Sequence, residues 1–197
     1  AGRFNEDGSA NHIPGSSLPI AALGILLLWV GWFGFNGGSV LAFDEQVVGV
    51  IANTLLAGAS GMLAAMLLSQ WLSNRIEASA IMNGILAGLV AVTAGANAVS
   101  QIDALIIGAI GGVVMMLGER LLLAWRIDDA VGAVPVHLFA GVWGTIATGL
   151  MADPALLGFD VATFDRTAFL GAQLLGIVVC AVWTFGITYL FFRTMDP

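Results

Sequence analysis

Apolar and polar positions along this chain fall in blocks: six long apolar runs are separated by short polar breaks. The runs cover residues 18–40, 47–72, 78–99, 104–125, 130–151 and 169–191, each close to the ~20 residues a helix needs to cross hydrocarbon. In lipid the backbone must satisfy its own hydrogen bonds, so runs of this length predict transmembrane helices. The predicted fold class is all-α integral membrane protein with six transmembrane helices. Residues 1–17 are polar and rich in Gly, Ser and Asn, a connecting loop, and residues 18–197 form the membrane portion. The longest internal break, 152–168, carries DPALLGFD and FDRT and reads as a surface loop.

Composition agrees: 59% of the 197 residues are hydrophobic and 10% charged, with a mean hydropathy of +0.97, outside the range of soluble domains. All six basic residues are Arg, and they set the sidedness because short cytoplasmic loops carry the basic excess. Six crossings put both ends on one side, with Arg3, Arg75, Arg120, Arg126 and Arg193. Arg166 stands on the other, with Asp44, Glu45, Asp103, Asp153, Asp160 and Asp165. The expectation is a multi-pass cell-membrane protein with both ends, and the 1–17 loop, cytoplasmic. The acidic far side fits ordinary solvated loop charge or a means of concentrating cations. A net charge of −7 without a basic patch excludes nucleic acid as a partner. Cys180, alone, forms no intrachain disulfide and fits a small buried hydrophobe. No initiator methionine or basic-then-apolar leader opens the chain at Ala1, so further sequence is expected before it, with room for more after Pro197.

Candidate chemistry centres on VGAVPVHLFAGVWGTIATGL, residues 131–150, which puts His137 inside an apolar run. An ionisable group at that depth marks an ion or substrate path by default. Pro135 inside a helix is expected to free the carbonyl of Val131, tolerable at bilayer depth only where protein or water satisfies it. In the first span, WVGWFGFNGGSV brings Trp29, Trp32, Phe33 and Phe35 close to Asn36 and Ser39. Aromatic faces beside a hydroxyl can hold a small cation, and the same rings fit an interfacial belt. Asn53, Thr54, Asn83, Thr93 and Asn97 suit hydrogen bonds between helices. Gly34 with Gly38, Gly84 with Gly88, and Gly108 with Gly112 each form a small-xxx-small face for close helix approach. Glu119 and Arg120 imply a fourth helix that projects past the bilayer, or local charge pairing. His12 is expected to be solvated. No span holds paired carboxylates, a metal-ligand cluster, a nucleophile with its base or a phosphate loop, so the pattern points to no enzyme, no metal and no cofactor.

At WVGWFGFNGGS and PVHLFAGVWGT the sequence resembles the ammonium transporter family, the Amt proteins with their Rhesus-type relatives. The resemblance runs on through IANTLLAGASGMLAA, MNGILAGLVAVTAGAN and DALIIGAIGGVV. It implies an eleven-helix fold of two inverted repeats, of which this chain would be the last six helices, assembled as a homotrimer with a pore in each protomer. By motif, Ser39 resembles the hydroxyl of the outer ammonium-binding vestibule and Phe35 one ring of the pair that closes the pore. Trp32 is similar to a lining residue, and His137 to the second of two pore histidines. The first histidine, the vestibule tryptophan, the other gate ring and an early carboxylate would precede Ala1. The implied activity is ammonium transport across the membrane. Ammonium would be bound outside by cation–π contact and Ser39 and lose its proton near Phe35. Ammonia would then cross, exchanging hydrogen bonds or a proton with His137.

Two features depart from the usual transporter pattern. Family members carry an acid where this chain has Gly132, in a stretch like DVFGVH, although the pair Asp128 and Asp129 is kept. The VPVH form also looks more like Amt-type domains fused to signalling modules. The alternative expectation is an ammonium sensor that conducts little and drives a cytoplasmic kinase or cyclase output domain beyond Pro197.

Overall fold

A computed structural model describes residues 3–7, 9–11, 13 and 15–195; His12 lies outside the described residues. Six α-helices follow in order: α1 (Leu18–Gly38), α2 (Glu45–Ser73), α3 (Ala78–Thr93), α4 (Gln101–Ala124), α5 (Ala140–Met151) and α6 (Arg166–Met195). A π-helical turn, Val134–Phe139, leads into α5. Local chemistry sets several starts. Asp44 accepts from the Gln46 amide at 3.0 Å to begin α2. Ser100 and Asp103 form a reciprocal capping box at α4, with bonds of 3.2 and 3.3 Å, so two otherwise orphaned donors are satisfied. Asn74, in the left-handed conformation at φ 53°, stops α2.

Five segments are long and apolar enough to span a bilayer: Leu18–Gly38, Glu45–Ser73, Gln101–Ala124, Val134–Met151 and Arg166–Met195. Helix α3, Ala78–Thr93, is shorter than these and differs from the expected 78–99. It is helical for 16 residues, about 24 Å, and runs on as turns over 94–98. The cause lies on α2, where the Asn53 amide donates to the carbonyls of Ala96 and Val99, both at 2.9 Å. Irregular backbone at membrane depth is tolerable when protein satisfies it in this way. The Asp153 amide donates to Ala98 O at 2.7 Å, which joins the 94–99 segment to the 152–165 loop.

The core is α2, α3, α4 and α5, packed through small residues. A Cβ on Gly61 would stand 2.5 Å from Gly84 O and 3.0 Å from Gly108 O, and one on Gly84 would stand 2.5 Å from the Ala65 Cβ. The pairs Gly84/Gly88 and Gly108/Gly112 are thus points of backbone contact. Gly34 and Gly38 are not: a Cβ at either meets nothing within 4 Å, because α1 turns that face outward. Around this centre, α1 buries only Asn36 and Gly37, and α6 buries nothing among its described residues. Exposed leucines, valines and aromatics cover both outer helices, a surface that suits lipid and that water would not tolerate.

Candidate functional site

His137 stands on the π-helical turn. The turn starts at Val134, four positions later than the expected 130, so Pro135 lies in its first turn instead of inside a helix. There the missing N–H costs nothing, which corrects the expectation of a freed Val131 carbonyl. Asp129 begins the turn: its Oδ1 accepts from the Ala133 amide at 2.9 Å and its Oδ2 from the Val134 amide at 2.7 Å. Gly132 adopts φ 74°, and a Cβ there would come within 2.7 Å of Asn83 Nδ2. The position that departs from the usual acid therefore has a backbone conformation that favours glycine, and a side chain there would also have to displace the Asn83 amide on α3. Within the turn, Pro135 and Val136 are buried against α3 and α4, beside Met115 and Met116, while His137 and Leu138 are exposed. The wider π register separates these two pairs, and such turns recur at functional sites.

Replacing Asp129 by Ala removes both charge-assisted bonds to the turn's first amides. We expect about 1–2 kcal/mol of destabilisation, as for other lost helix caps. Faster amide hydrogen exchange at Ala133 and Val134 would report it, and unchanged exchange there would contradict the capping role.

Trp32, Phe35 and Ser39 share one face of α1, at spacings of three and four residues. Trp32 and Phe35 meet edge to face, with ring centroids 6.0 Å apart and planes at 66°. Ser39 closes the helix, its Oγ donating to Phe35 O at 2.7 Å, so the hydroxyl turns its lone pairs outward. Phe35 is 61% exposed, and both rings border an open apolar groove of about 490 Å³ with Gly24, Leu27, Leu28 and Gly31. Trp32 Nε1 donates to Thr93 Oγ1 on α3 at 2.8 Å.

The structure gathers Trp32, Phe35 and Ser39 into one patch and holds His137 apart. Among the described residues α1 packs on α2 and α3, the π turn packs on α3, α4 and α5, and α1 does not touch the π turn. Helix α3 is the wall they share. Sequence reasoning gave Thr93 only a general bridging role. The signal for its pairing with Trp32, 61 positions away, is not local. Among the described residues no three His, Cys, Asp or Glu side chains gather as a metal site.

A family model described as the Ammonium Transporter Family matches residues 1–196. The chain belongs to this family. As a member of it, the protein is an all-helical, multi-pass membrane protein of a transporter family. It is 45% identical over 195 residues to a candidate ammonium transporter of Synechocystis sp., an alignment covering 99% of this chain and 36% of that one. It is 38% identical over 203 residues to the ammonium transporter Amt2 of Archaeoglobus fulgidus, covering 97% and 42%. Among solved structures, a protein titled Sensor Amt Protein superposes with a TM-score of 0.93 at 39% identity, covering 98% of this chain and 48% of that one. Candida albicans Mep2 superposes with a TM-score of 0.89 at 27% identity, covering 99% and 45%. The chain thus spans 36% to 48% of the lengths of these four relatives.

Proposed function

We propose that this chain forms part of an ammonium path through the membrane, with Ser39, Phe35 and Trp32 at its outer mouth and His137 along its length. The observation that carries the reading is the patch on α1. A hydroxyl whose hydrogen is already used on Phe35 O offers lone pairs to an N–H cation, next to two aromatic rings. Magnitudes then divide the path. A cation–π contact contributes up to ~2 kcal/mol, whereas removing an ion from water costs several kcal/mol. The mouth can hold ammonium, but the apolar wall beyond it favours neutral ammonia, so the proton leaves near Phe35. The exposed imidazole of His137, on a turn packed against the same α3 wall, suits exchange of hydrogen bonds or a proton with passing ammonia. The arginine asymmetry supports a cytoplasmic location for both ends, and the family match supports carrying over a homotrimer in the cell membrane.

His137→Ala protein in liposomes is expected to carry ammonium about tenfold more slowly, the equivalent of roughly 1.4 kcal/mol of barrier. Uptake equal to wild type would sink the relay role.

A second reading, an ammonium sensor coupled to a cytoplasmic signalling output domain, is favoured by Gly132 and the VPVH stretch. The likeness to the Sensor Amt Protein supports it too. Ammonium uptake into liposomes or clear ammonium currents on solid-supported membranes would rule out the silent sensor; the absence of both, with ammonium still bound, would rule out the transporter.

A further inference from the structure

We propose that Thr93 is a positioning residue that fixes the ring plane of Trp32 and, through it, the ring of Phe35. Its importance for ammonium passage rests on the transport reading above; the ring orientation does not. The bond has one polarity. The Thr93 hydroxyl hydrogen is used on Leu89 O at 2.7 Å, so Oγ1 can only accept, and an indole N–H can only donate. Trp32 supplies that donor at 2.8 Å. Its N–H is therefore committed to α3 and not offered to a ligand in the groove, so Trp32 contributes a ring face and an edge. Trp29, one turn earlier, makes the contrast: its buried Nε1 has no hydrogen-bond partner among the described residues. Packing holds that indole, its Cζ2 being 2.9 Å from where a Gly58 Cβ would stand. One indole is keyed by shape and the next by a hydrogen bond.

Thr93 is the last residue of α3, immediately before the turns that Asn53 pins, which makes it a fixed anchor. Phe35 projects from the exposed face of α1 and meets the Trp32 ring edge to face. Rotation of the indole would therefore pass directly to Phe35.

The test compares wild type, Thr93→Val and Thr93→Ser. Valine keeps the shape and removes the acceptor; serine keeps the acceptor. Ultraviolet resonance Raman difference spectra read the indole hydrogen bond, and 4-fluorophenylalanine carried at position 35 reports the ring by fluorine NMR. The expected result is loss of one bonded-indole signal and a moved fluorine resonance in Thr93→Val, with both features restored in Thr93→Ser. Ammonium uptake should fall roughly three- to tenfold in the valine variant, the span one neutral hydrogen bond allows, and recover with serine. An unmoved fluorine resonance in Thr93→Val, or an equal shift in both variants, overturns the proposal. A wild-type protein without ammonium uptake instead counts against the transport reading, and the spectra still decide the orientation.

Discussion

Gly88→Leu is expected to abolish recovery of a monodisperse protein from the membrane. A Cβ on Gly88 would collide with the carbonyl oxygen of Ala57, come within 2.9 Å of the Ala57 carbonyl carbon and lie 3.2 Å from Gly58 Cα. All three atoms are backbone, so no rotamer change gives relief. The same stretch of α2 is also packed on α4, where Gly61 O meets the Gly112 position and a Gly61 Cβ would be 3.0 Å from Gly108 O, so moving α2 off α3 disrupts both contacts. Overpacking with side chains that can shift costs about 1–3 kcal/mol. Here a four-carbon side chain meets fixed backbone on two clamped helices, and a loss above ~4 kcal/mol is expected, beyond most single substitutions. Gly176→Leu is the control: Gly176 is exposed and a Cβ there meets nothing within 4 Å. Fluorescence-detected size exclusion after heating compares the variants. A Gly88→Leu peak as heat-resistant as wild type would mean that α2 and α3 are not packed backbone to backbone.

The glycine pairs show what the chain's pattern can and cannot tell. A small-xxx-small face permits close approach but does not supply a partner, so Gly84/Gly88 and Gly108/Gly112 meet neighbours while Gly34/Gly38 face open space. Hydropathy likewise marks 78–99 as one apolar block. Buried irregular backbone is as apolar as helix, and the break after Thr93 is written 40 residues earlier at Asn53. The start of the fifth segment had a local signal in Asp129, whose carboxylate caps the turn, yet the crowding of Gly132 by Asn83 comes from another helix. Within the candidate site, the spacing of Trp32, Phe35 and Ser39 is enough to place them on one face. The π register around His137 was not legible, because apolar periodicity does not distinguish an i→i+5 turn from α-helix over six residues. Neither was the Trp32–Thr93 bond, which joins residues from two helices.

Asn53→Leu should destabilise the protein by about 2–6 kcal/mol and loosen one segment before any other. The Asn53 side chain is 5% exposed and its Nδ2 donates to Ala96 O and Val99 O at 2.9 Å each. Leucine fills similar space but leaves both carbonyls buried without those donors, at about 1–3 kcal/mol apiece. Neither carbonyl can recover by lengthening α3, because Ala98 O is already tied to the Asp153 amide at 2.7 Å. Asn53→Asp should be worse than leucine although it is closer in shape: a carboxylate oxygen would then face two carbonyl oxygens, and a charge would be buried. The order of stability expected is Asn above Leu above Asp. Hydrogen exchange localises the effect, with faster exchange at Gly95 and Ala98, whose amides donate to Val92 O and Gly95 O in the turns after α3. Amides in the middle of α4 should keep their protection in Asn53→Leu. If exchange across 94–99 is unchanged in that variant, the break in α3 is held by packing and not by the Asn53 amide.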